Sequence, residues 1–282
     1  MKIMGGNLKL FLLLVAAGYF NPASSQVKQK EDTLSKYSYL LIYTEKDPNT
    51  VGNFIPTPSH ATCFFIRRNG KLYLVSAYHV LTNYDLYAGK PYDKKVDAFF
   101  VRYFDSVGKP SGIFVPVQPL KSMFAFFLTL PDICIYRCDS LAFINKNIKS
   151  IESMVEPLTL KANSKTKIKI ISFGFPVDDT TKFNSPDEFI LKSTPQKYIG
   201  LMADTSSIQP GLKVNKNFND WYSTVTPLLI NGRSGSPVFL QYTKKKKSWH
   251  ALLGVQSGAT TLLNTSFVVN YKLLINEIDQ SK

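Results

Sequence analysis

The sequence predicts an all-β protein. From Tyr37 onward, short runs rich in Val, Ile, Phe and Tyr alternate with turn residues such as Gly, Pro, Asn and Asp. Closely spaced runs of this kind favour a barrel or sandwich over alternating strands and helices. The clearest strand segments are TCFFI, KLYLVSA, VDAFFVRYF, GIFVPVQ, DICIYRC, KIKIISFGF, SPVFLQY, HALLGVQS and SFVVNY.

Prolines in the first half of the chain agree with this prediction. A proline removes a backbone donor, so within sheets it is confined to edge strands, strand ends and bulges. We therefore expect edges or turns at Pro110, Pro116, Pro119 and Pro131.

The last segment, YKLLINEIDQ, has a helical pattern. Its apolar residues recur at spacings that place them largely on one face of a helix. These residues are Leu273, Leu274, Ile275 and Ile278. We expect this short C-terminal helix to pack on the β-structure.

Residues 1–25 have the pattern of a signal peptide. Lys2 and Lys9 precede the apolar stretch LFLLLVAAGYF, and the small residues Ala23-Ser24-Ser25 follow it. The apolar stretch is too short to span a bilayer, which needs about 20 residues. We expect cleavage after Ser25, a secreted or periplasmic protein, and no transmembrane anchor after cleavage. Residues 26–36 are polar and aperiodic, which predicts a flexible arm or short pro-segment.

The formal net charge is +14, which is compatible with attraction to anionic surfaces. No nucleic-acid-binding motif accompanies the charge, so we expect no specific nucleic-acid partner. The one dense basic run, Lys244 to Lys247, lies between two predicted strands. Such a run is typical of a solvated hairpin tip.

The chain has three cysteines, an odd number that cannot form a closed set of disulfides. Cys134 and Cys138 are four residues apart, at about 3.3 Å each along a strand, which is too far for a direct bridge. We expect these two and Cys63 to be buried thiols. With only three histidines and no paired ligand spacing, we expect no metal site and no cofactor.

Three short segments carry chemistry: His79 in LVSAYHVLT, Asp132 in LPDICIY and Ser234 in NGRSGSPVF. A serine is a poor nucleophile until a histidine takes its proton, and a carboxylate must hold that histidine in the right tautomer. Each residue alone has a common structural explanation: a half-buried histidine, a turn aspartate and a polar turn. Their joint occurrence favours a catalytic triad.

These segments resemble the chymotrypsin-like (trypsin-like) serine peptidase family, particularly its secreted bacterial branch of glutamyl endopeptidases and HtrA-type proteases. ATCFFIRRNGKLYLVSAYHV resembles the family's His motif, DICIY its Asp motif and GRSGSPVF its nucleophile motif. ISFGFP and LLGVQSGA are similar to two further strands of that branch, the second of which lines the substrate cleft. The resemblance covers residues 55–278.

The resemblance implies two antiparallel six-stranded β-barrels with a short C-terminal helix. We place the first barrel at residues 37–150, with His79 and Asp132, and the second at 151–282, with Ser234. The active site would then lie in the cleft between them. The implied function is a secreted serine endopeptidase acting on protein or peptide substrates through an acyl-enzyme. The backbone N–H groups of Gly232 and Ser234 would form the oxyanion hole.

Departures from the family pattern bear on maturation and specificity. Arg233 stands where digestive relatives carry an Asp that pairs with the new N-terminus, so we expect no such salt bridge here. Trypsin-type specificity would need an acid near Leu228, and glutamyl specificity a His at Gln256. We therefore expect an uncharged substrate side chain in a pocket lined by Leu229, Gln256, Ser257 and Gly258, although Leu229 also fits an ordinary core position.

Two alternatives remain open at the level of sequence. One is a catalytically silent protein of the same fold that binds a protein or an anionic surface. The other, a cysteine hydrolase using Cys134, has no histidine in a context that would pair with that strand position.

Overall fold

The strands form two antiparallel units. The computed structural model describes residues 33–50, 52–85, 90–92, 95–119, 131–138, 147–152, 167–202, 221–226, 232–244, 247–260 and 264–280. The predicted signal peptide and residues 26–32 of the predicted arm lie outside these ranges. The predicted leader, flexible arm and division at residue 150 stay predictions.

The first unit is a six-stranded sheet with the order β7-β6-β1-β2-β3-β8, called here the first sheet. Its edge strand β7 has a proline at each end, as expected for an edge. A two-stranded ribbon, β4 and β5, lies beside it. The strands are β1 (Tyr39–Lys46), β2 (Phe54–Arg68), β3 (Lys71–Ser76), β4 (Tyr84–Asp85), β5 (Lys90–Pro91), β6 (Ala98–Phe104), β7 (Pro110–Pro116) and β8 (Cys134–Arg137).

The second unit is a closed barrel with the order β10-β11-β14-β13-β12-β9. Strands β12 and β13 form a hairpin in which Lys244 pairs with Lys247, so the dense basic run lies at its tip. The strands are β9 (Lys167–Gly174), β10 (Gln196–Met202), β11 (Tyr222–Thr226), β12 (Pro237–Lys244), β13 (Lys247–Thr260) and β14 (Thr265–Asn270).

In the part of the chain that the structure describes, three α-helices interrupt or follow the strands: α1 (Tyr78–Leu81), α2 (Pro186–Lys192) and α3 (Tyr271–Gln280). The same residues include short 3₁₀ segments at Ser35–Tyr37 and Val177–Lys182. Helix α3 confirms the predicted C-terminal helix, and it buries Leu274 and Ile278 against the protein. Arg68, at the end of β2, forms a bidentate ion pair with Asp279 of this helix.

Side chains from both units share one apolar core, which includes Phe65 and Leu74 of the first sheet and Phe173 and Phe239 of the closed barrel. The buried Arg102 of β6 also joins the units, because its guanidinium donates to Ile190 O (2.6 Å) and Ser193 O (2.7 Å) at the end of α2. Burial lowers the pKa of Arg102 to about 10. A cation at the C-terminus of a helix also complements the helix dipole.

The arrangement of strands confirms the predicted all-β fold class. The second six-stranded unit is a closed barrel, whereas within the described residues the first is an open sheet with edges β7 and β8. Cys63, Cys134 and Cys138 are buried and form no disulfide, as expected. None of the described helices is long and apolar enough to cross a membrane.

Candidate active site

His79 lies at the end of β3, where the strand turns into the single-turn helix α1. The apolar run of β3 is buried, so it fixes the start of the turn. The side chain of His79 is 14% exposed, so it is largely buried but reaches solvent. The residue is therefore rigidly placed at the boundary between core and solvent.

Asp132 lies just before β8 and is buried, with 0% of its side chain exposed. Its Oδ2 accepts a hydrogen bond from His79 Nδ1 (2.8 Å), and its Oδ1 accepts one from the His79 backbone N–H (3.0 Å). A carboxylate can only accept, so the Nδ1 proton is on the ring and Nε2 is left to act as the base. The Asp132 backbone N–H donates to the hydroxyl of Tyr222 on β11 (2.8 Å), which links this turn to the closed barrel.

The electrostatics of this pair favour its charged form. Burial alone would lower the pKa of His79, but the charge of Asp132 and the hydrogen bond to it outweigh burial, so the pKa is raised above 6.5. Burial alone would raise the pKa of Asp132. The attraction to His79 and the hydrogen bonds from His79 and Ser257 outweigh it, and the pKa is lowered. Asp132 therefore stays ionised and stabilises a protonated His79.

Ser257 contacts the carboxylate of Asp132, a role that sequence reasoning missed. It is 2% exposed, and its hydroxyl donates to Asp132 Oδ2 at 2.5 Å. The sequence placed this residue only in the substrate pocket, but its hydroxyl is turned toward the buried pair. The residues around Ser257 in its strand do not predict its hydrogen bond to Asp132, because Asp132 is 125 residues away along the chain.

Ser234 lies in a tight turn of residues 232–236, called here the Ser234 loop. Gly232 and Gly235 have φ values of +85° and +83°, which side chains rarely tolerate, so glycine is required at both positions. A Cβ on Gly235 would also overlap Thr62 O and Ser76 Oγ. The Ser236 N–H donates to Arg233 O (2.9 Å) and closes the turn.

The Ser234 loop meets the first sheet close to the His79 and Asp132 pair. Gly235 touches Ser76, which is three residues before His79. Gly235 N also donates to Gln256 O (2.8 Å), and the next residue, Ser257, binds Asp132. The fold thus brings the three predicted triad segments to one place. The hydrogen bonds among the described residues include none between Ser234 Oγ and His79 Nε2.

The oxyanion prediction depends on two backbone amides. Neither Gly232 N–H nor Ser234 N–H donates to an acceptor within the described part of the chain. Ser234 itself is partly exposed. Among the described residues, no internal acceptor competes with a substrate oxygen for these two amides.

Arg233 is 5% exposed and packs inside the protein. Its Nη1 donates to Gln196 O at 3.4 Å, and its guanidinium lies over the Tyr198 ring, with 5.3 Å between its central carbon and the ring centroid. Both partners belong to β10 of the closed barrel. A buried arginine in this place would repel an incoming amino-terminus.

The predicted pocket residues lie along β13. Gln256 is 2% exposed, whereas Gly258 is partly exposed at the surface of the strand. Leu229 lies outside the described residues. The backbone N–H of Gln256 donates to Ser236 O (2.9 Å), so β13 is hydrogen-bonded to the Ser234 loop.

Comparisons with known proteins give distant structural similarities. No protein-family profile and no curated protein matches the chain. The chain is similar to a Glu endopeptidase in complex with MPD, with 13% identity over 92% of this chain and 95% of that chain and a TM-score of 0.48. It is also similar to an inactivated protease paralogue of the scabies mite, with 12% identity over 87% of this chain and 92% of that chain and a TM-score of 0.44.

A third similarity is to a chain from work on the intrinsically disordered VPg protein of Sesbania mosaic virus. It has 15% identity over 82% of this chain and 85% of that chain, with a TM-score of 0.39. At these identities and TM-scores, the chemistry of the site rests on its own residues.

Proposed function

We propose that the protein is a secreted serine endopeptidase that hydrolyses peptide bonds through Ser234, His79 and Asp132. The observation that carries the proposal is the buried Asp132 that accepts the Nδ1 proton of His79 (2.8 Å) beside a glycine-hinged turn bearing a partly exposed serine. With its proton on Nδ1, the ring has an unprotonated Nε2 that can act as a base.

In the proposed reaction, Ser234 Oγ attacks the peptide carbonyl carbon while His79 Nε2 takes the hydroxyl proton. The developing oxyanion would accept hydrogen bonds from the amides of Gly232 and Ser234. Protonated His79 then gives its proton to the leaving amine, and the C–N bond breaks to leave an acyl-enzyme. Water, deprotonated by His79, releases the acid product and restores the serine.

The raised pKa of His79 and the lowered pKa of Asp132 support this reaction. The step of attack creates an imidazolium next to the carboxylate, and both shifts make that ion pair more stable. Contacts between base and nucleophile often lengthen without a substrate, so the lack of a Ser234–His79 hydrogen bond is compatible with catalysis.

Covalent labelling of the mature protein with a fluorophosphonate probe tests the proposal. We expect labelling of the wild type and its loss in Ser234→Ala. Ser236→Ala is the matched control, because Ser236 lies two residues away with a fully buried side chain; its labelling should equal that of the wild type. Equal labelling of wild type and Ser234→Ala would refute the proposal.

The specificity, branch and location are part of the same proposal. GRSGSPVF and ISFGFP support membership of the secreted bacterial branch.

The uncharged Gln256 beside the site supports a preference for an uncharged substrate side chain, which mass spectrometry of a digested peptide mixture would test. Cleavage after Ser25 predicts a mature protein that begins with Gln26, which N-terminal sequencing would test.

A binding module of the same fold is the second candidate function. The observation that favours it is the missing hydrogen bond between Ser234 Oγ and His79 Nε2 among the described residues. A net charge of +14 would suit an anionic partner. In this case the probe would label wild type and Ser234→Ala alike.

A further inference from the structure

Thr62 of β2 contacts both residues of the proposed oxyanion hole. It is 0% exposed. Its backbone N–H donates to Ser234 O at 3.0 Å, and its hydroxyl donates to Gly232 O, also at 3.0 Å. One residue of the first sheet therefore holds the carbonyls of the two residues whose amides would bind the oxyanion.

The hydroxyl of Thr62 has a fixed direction. The Phe175 N–H donates to Thr62 Oγ1 at 3.1 Å, so the hydroxyl accepts from one peptide and gives its own proton to Gly232 O. The carbonyl of Phe175 is also held, since His60 Nε2 donates to Phe175 O at 2.9 Å. Thr62 and His60 of β2 thus hold the backbone of Phe175, which lies next to Gly232.

The backbone around this contact is closely packed. A Cβ on Gly232 would overlap Phe175 O, and one on Gly174 would overlap Ser236 Oγ. On its other side, Ser76 Oγ donates to Thr62 O at 2.8 Å, which ties Thr62 to the strand that ends at His79.

Thr62 holds the oxygens of the two peptides that flank the Arg233–Ser234 peptide, which carries the Ser234 N–H. The Ser234–Gly235 peptide is held at both ends, by Thr62 N on its oxygen and by Gln256 O on its nitrogen. The Arg233–Ser234 peptide has its oxygen turned toward Ser236 N. In a trans peptide the N–H lies opposite the C=O, so the Ser234 N–H faces away from that turn.

We propose that Thr62 is a positioning residue whose hydroxyl holds the Ser234 loop in its oxyanion-binding arrangement. This inference rests on the proposed peptidase function and adds to it how the site is kept assembled. The residue before the nucleophile cannot do this by pairing with an amino-terminus, because it is an arginine that contacts Gln196 O and Tyr198. In this protein the hydroxyl of Thr62, in the first sheet, anchors the Ser234 loop instead.

The test compares Thr62→Val, Thr62→Ala and Thr62→Ser. Valine keeps the shape and the backbone N–H but leaves Gly232 O and Phe175 N without their partner, whereas serine keeps the hydroxyl. We expect the rate of fluorophosphonate labelling to fall about 10- to 100-fold in Thr62→Val and Thr62→Ala, less than the full loss of an oxyanion donor. Thr62→Ser should restore the rate to within about threefold of the wild type.

Ser38→Ala is the matched control. The buried hydroxyl of Ser38 donates to Phe173 O at 2.9 Å, so it also joins the first sheet to β9, two residues before Phe175, without touching the Ser234 loop. This variant should lose stability like Thr62→Val yet keep its labelling rate. Unfolding midpoints in urea, measured for every variant, separate stability from reactivity.

Two readouts distinguish positioning from a merely structural effect. The pH midpoint of labelling should stay unchanged in Thr62→Val while the plateau falls, because the His79–Asp132 pair is intact. With a peptide substrate, kcat should fall and KM should stay near the wild-type value, since the oxyanion forms only during reaction.

Three outcomes would overturn the inference. The first is wild-type labelling by Thr62→Val, and the second is a loss in Ser38→Ala equal to that in Thr62→Val. The third is a wild type labelled no more than Ser234→Ala, which refutes the peptidase proposal itself and with it the role of Thr62. The first two leave the peptidase proposal standing.

Discussion

Replacing Asp132 with Asn tests whether a buried carboxylate prepares His79 as a base. The carboxylate accepts three hydrogen bonds: from His79 N (3.0 Å), from His79 Nδ1 (2.8 Å) and from Ser257 Oγ (2.5 Å). An amide of the same shape offers one acceptor oxygen and a donor NH2 group. If the NH2 group faces His79, the ring must carry its proton on Nε2, where it cannot accept the Ser234 proton.

The expected loss of rate is large and the change of stability is small. A wrong tautomer with the geometry intact lowers turnover about 10⁴-fold in triads of this type, which is about 5.4 kcal/mol of transition-state free energy. In the folded state, lost hydrogen bonds to a charged group cost about 1.5–3 kcal/mol each, but the protein no longer buries a carboxylate. We expect these opposing effects to leave a net change of about 2 kcal/mol or less in the free energy of unfolding.

The pH dependence gives an independent check. Because the pKa of His79 is raised, labelling of the wild type should increase with pH around a midpoint above 6.5. In Asp132→Asn the effect of burial, which lowers the pKa, is opposed only by the smaller effect of the Asp85 charge, so the midpoint should move to lower pH. A rate at pH 8 within tenfold of wild type, together with an unchanged midpoint, would refute this account of the site.

The same shifts predict how stability depends on pH. The raised pKa of His79 contributes stability that is complete below pH 6.5 and is lost as pH rises through the folded-state value. The lowered pKa of Asp132 contributes stability above pH 3.8 that is lost as pH falls through its folded-state value. The pair should therefore stabilise the wild type most between these two pH values. Urea unfolding of Asp132→Asn should lack this maximum.

Three further substitutions probe the loop, the core and the terminal helix. Gly235→Ala places a Cβ against Thr62 O in a left-handed residue, so labelling should be abolished, and a variant labelled like the wild type would show that the loop can relax. Leu274→Ala removes a fully buried side chain from α3 and should lower the free energy of unfolding in urea by about 2–5 kcal/mol; a change below 1 kcal/mol would contradict the packing. Asp279→Asn breaks the half-exposed pair with Arg68 and should cost about 1 kcal/mol or less, with a difference that shrinks in high salt.

The strands were predictable because their pattern is local. Each predicted segment lies in or overlaps a strand, and the C-terminal helix spans Tyr271–Gln280 as expected. Helix α2 was missed, although its start has a capping box: Ser185 Oγ accepts from Glu188 N at 3.1 Å, and Pro186 begins the helix. That pattern would have found it.

The sequence identified the candidate reactive residues but not the residues that hold them. His79 and Asp132 were recognisable because each stands beside an apolar strand in a motif of its own. Ser257 and Thr62 were not, since their partners lie 125 and 170 residues away along the chain. The local sequence around a serine or threonine in a strand does not indicate which carbonyl or carboxylate its hydroxyl will bind in the folded protein.

The sequence by itself determined which segments become strands, where the chain must turn, and which histidine, carboxylate and serine are the candidates for a reactive site. These properties depend on residue type and close spacing. Only the tertiary structure decided that Ser257 supports Asp132 and that Thr62 holds Gly232 and Ser234. Such contacts arise where the first sheet and the closed barrel meet, and their geometry is set by the packing of one unit against the other.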